Sequence, residues 1–114
     1  ATAYSNPATA ALAVDCDPAT AWQSSTAKPN WLYVDLGAPQ RITRIVVRWG
    51  GGHGTSYKFR SSGNGSSWST FQAGTGLDGG TDEVAVDVTT RYLQIYLSQY
   101  AGDAGFTINE LELY

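Results

Sequence analysis

Strand structure is indicated most clearly by residues 31–49, which read WLYVDLGAPQRITRIVVRW. Apolar and polar residues alternate on both sides of a break at Gly37 and Pro39, and a period of two is the pattern of half-buried β-strands. The sequence therefore predicts one strand over residues 31–36 and a second over residues 42–49.

The same alternation continues along the chain in shorter stretches separated by glycine-rich segments. A helical turn is predicted only near the start, where Asn6 and Pro7 form a cap and first helical position and the helix would continue to Leu12. About eight short strands with glycine-rich turns indicate an all-β fold, a β-sandwich or jelly roll. The remaining strands are predicted near residues 2–4, 57–60, 68–72, 83–88, 92–97 and 107–114.

Composition limits the possible partners. The 114 residues suit a single domain over residues 1–114. The net charge is −3, and the 7 Lys and Arg residues form no basic cluster, so nucleic acid is not an expected partner. The chain shows no signal peptide and reads as a module cut from a longer precursor. One cysteine, Cys16, permits no internal disulfide, so stability must come from the core or from a metal.

Catalysis is not expected from this set of side chains. There is one His, no cysteine cluster and no Gly-x-Ser-x-Gly motif, which removes the familiar nucleophile arrangements. A glycosidase would need two carboxylates facing each other across a groove, and such a groove is hard to build in so small a domain. The acidic candidates would be Asp15, Asp17, Asp103, Glu110 and Glu112.

An oxygen-rich segment, LAVDCDPAT at residues 12–20, is compatible with a metal site. Ca²⁺ takes six or more oxygen ligands, including backbone carbonyls. Asp15 and Asp17 could equally cap turns with their own backbone. Glu110 or Glu112, arriving from the last strand, would favour the metal.

Aromatic residues and one histidine are the candidates for ligand contact. An exposed ring can stack on the apolar face of a sugar while polar side chains bind its hydroxyls. Trp31 and Trp49 are predicted to lie in the core. His53, the one large side chain in its glycine-rich loop, either is solvated or contacts a ligand. Trp22 and Trp68 are expected to anchor loops to the core, and Tyr4, Tyr100 and Phe106 are the candidates for exposed rings.

Seven segments, taken in order, resemble the discoidin fold, the coagulation factor 5/8 type C domain. They are most similar to its bacterial branch, the family 32 carbohydrate-binding modules. The segments are AVDCDPATAW (13–22), WLYVDLG (31–37), ITRIVVRW (42–49), SYKF (56–59), NGSSW (64–68), RYLQIY (91–96) and INELELY (108–114).

This resemblance implies a jelly-roll sandwich of two antiparallel sheets with a structural Ca²⁺ near one end. Cys16 stands where similar modules usually carry Gly. If this position needs a positive φ, the cysteine backbone would be strained there. By position, the ion would be held by the backbone oxygen of Leu12, by Asp15, Asp17 and Thr20, by the carbonyl of Asn109 and by the carboxylate of Glu110.

The resemblance also implies a shallow sugar site on the loops near the metal. There Phe106 would offer a stacking face, Gln23 and His53 would bind hydroxyls, and Tyr4 or Tyr100 would form the rim. Galactose-binding relatives often carry His just after the Trp22 position, and chitosan-binding relatives often carry an acidic residue after the Trp49 position. This chain has Gln23 and Gly50 there, which leaves galactosides, chitosan and β-glucans open.

The function that follows is a non-catalytic module that binds an oligo- or polysaccharide. We expect it to be monomeric, secreted, and appended to a bacterial glycoside hydrolase or lyase. The alternative is a discoidin-type adhesion domain that binds a protein or a membrane surface, but the acidic balance and the all-glycine flanks of His53 disfavour a lipid-binding mode. A small hydrolase is the third class considered.

Overall fold

The computed structural model describes residues 2–5, 7–14, 20–25, 30–50, 54–73, 80–100 and 105–114. Seven strands and one 3₁₀ helix occur in this part of the chain. In chain order they are β1 (Thr2–Ala3), the 3₁₀ helix (Pro7–Ala13), β2 (Trp22–Gln23), β3 (Asn30–Trp49), β4 (Gly54–Ser62), β5 (Ser69–Ala73), β6 (Thr81–Tyr100) and β7 (Thr107–Leu113).

All strand pairs are antiparallel, in the order β2-β7-β3-β6-β4-β5, with β1 paired to β3. Strands β3 and β6 are 20 residues long, and each contributes to both layers of the sandwich. The prediction that residues 31–36 and 42–49 are separate strands was therefore wrong, as was the separation of 83–88 from 92–97. The register of β3 against β6 shifts between Asp35 and Gln40, where the strands bend from one layer into the other.

The first layer contains β1, the first half of β3, the second half of β6, β4 and β5. The second layer contains β2, β7, the second half of β3 and the first half of β6. Apolar side chains from both layers fill one core, which confirms the predicted all-β sandwich. The buried members include Leu32, Phe59, Leu93, Ile95 and Leu97 from the first layer and Ile45, Val47, Trp49, Ile108 and Leu111 from the second.

The predicted helical turn is present, as a 3₁₀ helix over Pro7–Ala13. Ala10 and Ala13 are fully buried in the core, where small side chains let the helix backbone approach the strands closely. Within the described residues no helix is long and apolar enough to cross a membrane.

An ion pair holds the bend of β3. The Asp35 carboxylate accepts hydrogen bonds from Arg91 Nε at 2.9 Å and Arg91 Nη2 at 3.1 Å. It also accepts one from the backbone amide of Gly37 at 2.8 Å, and Gly37 has a φ of 83°. Arg91 first and Gly37 second lower the pKa of Asp35 below its ordinary value of 3.8.

This pair predicts a specific acid sensitivity. A carboxylate whose pKa is lower in the folded than in the unfolded state stabilises the fold at neutral pH, and that contribution is lost as the pH falls below 3.8 and through the folded pKa. Asp35→Asn should therefore lower stability at pH 7 and weaken the loss of stability between pH 5 and about pH 2. Urea unfolding at several pH values measures both effects, and parallel stability curves for the two proteins would contradict the assignment.

Candidate functional site

The loop end of the sandwich brings two of the predicted site segments together across β7. Gln23 is exposed and lies opposite Thr107 in the β2–β7 register. On the other side of Thr107, its carbonyl accepts a hydrogen bond from the Gly50 amide at 2.9 Å. Gln23 and Gly50 therefore flank the same residue. His53 lies outside the described residues.

The tyrosines predicted at the rim differ in what the structure describes. Tyr4 is 57% exposed, as predicted, and its ring packs against Trp31 at a centroid distance of 6.1 Å. Tyr100 ends β6, with its backbone opposite Gly54, while its side chain lies outside the described part of the chain. Of these two tyrosines, Tyr4 is the one whose side chain the structure describes, and it is accessible to a ligand.

Phe106 was predicted to offer an exposed stacking face, and that prediction was wrong. Its side chain is fully buried in the core. Ser24 holds the residue on both sides: the Phe106 amide donates to Ser24 Oγ at 2.8 Å, and its carbonyl accepts from the Ser24 amide at 2.7 Å. A large apolar ring at the end of the sandwich gains more by covering the core than it would by facing water.

Gly105 makes this turn possible. Its φ is 85°, and a Cβ atom at this position would lie 2.6 Å from the Ser25 carbonyl oxygen. A side chain would therefore meet both an unfavourable backbone conformation and an immobile backbone atom. The close approach of residues 24–25 to residues 105–106 depends on this glycine.

Gly105→Ala should destabilise the fold more than Gly37→Ala. Both glycines have positive φ values, but a Cβ at Gly37 would meet nothing within 4 Å. Gly37→Ala should therefore carry only the conformational cost of roughly 1–2 kcal/mol, while Gly105→Ala adds the backbone clash. Chemical unfolding of the two variants measures the difference, and equal destabilisation would contradict the account of this turn.

The buried carboxylate of Asp82 connects three strands at the loop end of the sandwich. Asp82 Oδ2 accepts hydrogen bonds from Trp49 Nε1 at 2.9 Å and from the Tyr57 hydroxyl at 2.5 Å. Trp49 is buried in the core, as predicted. Asp82 falls between the strands predicted over residues 68–72 and 83–88, so alternation gives no sign of its buried role. It instead links Trp49 at the end of β3 and Tyr57 within β4 to the start of β6.

The predicted metal ligands are only partly described. Leu12, Thr20 and Asn109 are half-buried, and Glu110 is 5% exposed. Asp15, Cys16 and Asp17 lie outside the described residues, and within the described ones no three His, Cys, Asp or Glu side chains come together.

The position of Glu110 fits the oxygen-rich site that the sequence suggests. Glu110, Glu112 and Val14 all line one cleft of about 500 Å³, and Val14 is the last described residue before segment 15–19. Glu112 accepts hydrogen bonds from Arg48 at 2.9 Å and from the Tyr114 hydroxyl at 3.0 Å. Of the two acids, Glu110 is the buried one, so the choice between them stays a prediction.

Trp31 is not a core residue, contrary to the prediction. It is half-buried on the outer face of the first layer, because Leu32 occupies the inward position of that alternating pair. Its ring stacks on Tyr33 at 5.6 Å, and Tyr33 contacts Trp68 at 5.3 Å. Trp68 is likewise half-buried on this outer face, while Trp22 is fully buried, as predicted for a residue that anchors a loop.

The two-layer antiparallel sandwich, with the candidate site at one end, is the basis for assigning this chain to a protein family. The chain is a member of the F5/8 type C domain family, whose model matches residues 1–111. A comparison with curated proteins finds no match.

Several solved structures are similar over the whole chain. One is chitosan-binding module 1 of a chitosanase/glucanase from Paenibacillus sp. IK-5, at 29% identity and a TM-score of 0.90, covering 99% of this chain and 92% of that one. Module 2 of the same enzyme, solved with chitotriose, shows 28% identity and a TM-score of 0.87, covering 100% and 92%. The family 32 module of C. perfringens NanJ, solved with galactose, shows 22% identity and a TM-score of 0.82, covering 98% and 90%, and supports the fold alone.

Proposed function

We propose that this chain is a non-catalytic carbohydrate-binding module that takes an oligo- or polysaccharide on the loop end of the sandwich. The observation that carries the proposal is the full-length similarity to a module solved with chitotriose. The loop end supports it, since exposed Gln23 and Gly50 flank the same strand.

Chitosan oligosaccharides are the ligand class with the strongest support among the three that the sequence leaves open. Two chitosan-binding modules match at 28–29% identity, and the negative net charge of this chain complements the amines of chitosan. A carboxylate directly after Trp49 has no room here, because a Cβ at Gly50 would lie 2.5 Å from Thr107 Cγ2. Any acidic contact to an amine must come from another loop residue.

The biological setting proposed is a secreted bacterial enzyme that acts on polysaccharides. The similar modules come from a chitosanase/glucanase, which supports attachment to a glycoside hydrolase or lyase. A tethered module keeps its catalytic partner near the substrate by raising the effective concentration. Weak binding at a shallow site is enough to keep the enzyme near its substrate. A monomeric module can do this, and we propose that the module is monomeric.

A structural Ca²⁺ is proposed at the segment 12–20, with Leu12, Asp15, Asp17, Thr20, Asn109 and Glu110 as the ligands. The support is that Glu110, which is buried, lines the same cleft as Val14, the last described residue before segment 15–19. Such an ion would link the first part of the chain to β7 and stabilise the fold without touching the sugar.

Removal of Ca²⁺ should lower the melting temperature. An ion that binds only the folded state and is present at about 100 times its Kd adds roughly 2.7 kcal/mol. Glu110→Gln should abolish the response to chelator, while Glu112→Gln, the matched control on β7, should retain it. Identical melting temperatures of calcium-loaded and chelated protein would overturn the proposal.

A glycan array at neutral pH tests the proposed function. The expected result is binding to chitosan oligosaccharides above the galactosides and β-glucans, with no binding to phosphatidylserine vesicles run in parallel. Binding to vesicles but to no glycan would overturn the proposal in favour of the adhesion class.

A further inference from the structure

The outer face of the first layer carries a regular grid of aromatic and cationic side chains. Strand registers place Trp31, Tyr96 and Lys58 in one row across β3, β6 and β4. The next row contains Tyr33, Gln94 and Arg60. We call this surface the aromatic face and define it as these six residues together with Tyr4, Trp68 and Tyr92.

Four rings of the aromatic face pack against one another in series. The centroid distances are 6.1 Å from Tyr4 to Trp31, 5.6 Å from Trp31 to Tyr33, and 5.3 Å from Tyr33 to Trp68. Trp31 and Tyr33 stack at an interplanar angle of 23°, and both remain partly exposed. Partly exposed, nearly parallel rings are suited to the apolar faces of successive sugar units in a chain.

Lys58 and Arg60, the cations of the aromatic face, differ from the other described Lys and Arg residues in the groups that they contact. Arg41, Arg44, Arg48 and Arg91 each pair with a carboxylate within 4.0 Å. Among the described residues, Lys58 and Arg60 have no such carboxylate. Both are instead held over the Tyr96 ring, with Arg60 Cζ 4.0 Å and Lys58 Nζ 5.7 Å from its centroid.

Two buried polar atoms in the middle of the grid lack partners. Within the described part of the chain, Arg60 Nε and Gln94 Oε1 are both shielded from solvent without a hydrogen bond. Gln94 as a whole is only 4% exposed. Unsatisfied buried groups cost free energy, and they concentrate where a functional role compensates for it.

We propose that the aromatic face is a second carbohydrate-binding surface, specific for acidic polysaccharides that carry uronate groups. The sugar rings lie against Trp31 and Tyr33, and the carboxylates pair with Lys58 and Arg60. Opposite charge selects this ligand, because two cations that pair with no carboxylate of the described residues attract a polyanion and repel the amines of chitosan. Trp31, Tyr33, Lys58 and Arg60, which carry the proposed contacts, lie on β3 and β4 and are not among the residues of the loop-end site.

The test is titration calorimetry with oligogalacturonate, with chitosan oligosaccharides as the second arm. The combined change Lys58→Gln and Arg60→Gln should weaken oligogalacturonate binding at least 10-fold and leave chitosan binding unchanged. Arg44→Gln is the matched control, since Arg44 also lies over a tyrosine ring, at 4.1 Å from Tyr114, but is paired with Glu83. This control should bind oligogalacturonate like the unmodified protein.

Further variants separate the contribution of charge to oligogalacturonate binding from the contribution of ring stacking. Tyr33→Leu, a change at a partly exposed ring that belongs to the aromatic face alone, should weaken oligogalacturonate binding several-fold, and circular dichroism checks the fold of each variant. The proposal is overturned if oligogalacturonate does not bind at millimolar concentration, if the Lys58/Arg60 double variant binds as before, or if neutral or sulfated oligosaccharides bind equally well. Failure of the chitosan arm alone would count against the loop-end function and not against this surface.

Discussion

Replacing Asp82 with alanine should destabilise the fold by about 2–6 kcal/mol, the combined cost of two buried donors left without an acceptor. The reason is that Trp49 Nε1 and the Tyr57 hydroxyl both donate to the same carboxylate oxygen. Both donors would be left in a buried setting without an acceptor, which costs about 1–3 kcal/mol for each group. Urea unfolding measures the change.

The matched control is Asp87→Ala, on the same strand. Asp87 pairs with Arg41 at 3.1 Å, but both side chains are largely exposed, so its loss should change stability very little. Asp82→Asn should fall between the two variants, because a neutral amide oxygen can replace Oδ2 as an acceptor of both bonds but accepts them less strongly than a carboxylate. Equal effects of Asp82→Ala and Asp87→Ala would contradict the role of Asp82 as the shared acceptor of Trp49 and Tyr57.

Phe106→Ala should cost a similar amount, about 3–5 kcal/mol, as expected for a fully buried phenylalanine. The loss arises from an unfilled cavity at the end of the core and from loosening of the Ser24 hydrogen bonds. The effect is therefore on stability, measured by chemical unfolding, and not on a direct sugar contact.

Phe106→Leu separates these two roles. Leucine keeps most of the buried volume, so this variant should fold and bind the glycan with less than a threefold change in Kd. Tyr4→Ala, at an exposed ring, should leave stability within about 0.5 kcal/mol of the unmodified protein. A folded Phe106→Leu variant that no longer binds glycan would show that the ring does touch the ligand.

Alternation along the strands predicted the fold well, because it depends only on neighbouring residues. It could not predict which set of residues faces inward where both sets are apolar. In β3, Trp31 is larger than Leu32, yet Leu32 is the core residue, since the inward face of β6 already supplies Leu93, Ile95 and Leu97. Burial of this kind depends on partner strands and not on the local sequence.

The break at Gly37 and Pro39 shows a second limit of local reasoning. Such residues suit a hairpin turn and a bend between layers equally well. Only pairing along the whole of β3 and β6 distinguishes the two outcomes. Phe106 was misjudged for a similar reason, because a ring beside a glycine-rich loop resembles an exposed one until the contacts to Ser24 are known.

The resemblance predicts Gln23 as a sugar contact, and this stays a prediction; the structure shows that Gln23 is exposed and lies opposite Thr107. The role of Asp82 and the contacts of Lys58 and Arg60 with Tyr96 depend on cross-strand neighbours, which spacing along the chain does not reveal.

The most direct test of the central claim, that the chain binds carbohydrate without altering it, is a proton NMR titration of chitosan oligosaccharides with the protein. We predict that the ligand signals broaden in proportion to added protein, with a Kd of about 10⁻⁴ to 10⁻³ M, or roughly 4 to 5.5 kcal/mol. No new reducing-end anomeric signals should appear over a day of incubation. Unchanged ligand signals at millimolar protein would contradict binding, and new anomeric signals would contradict the non-catalytic assignment.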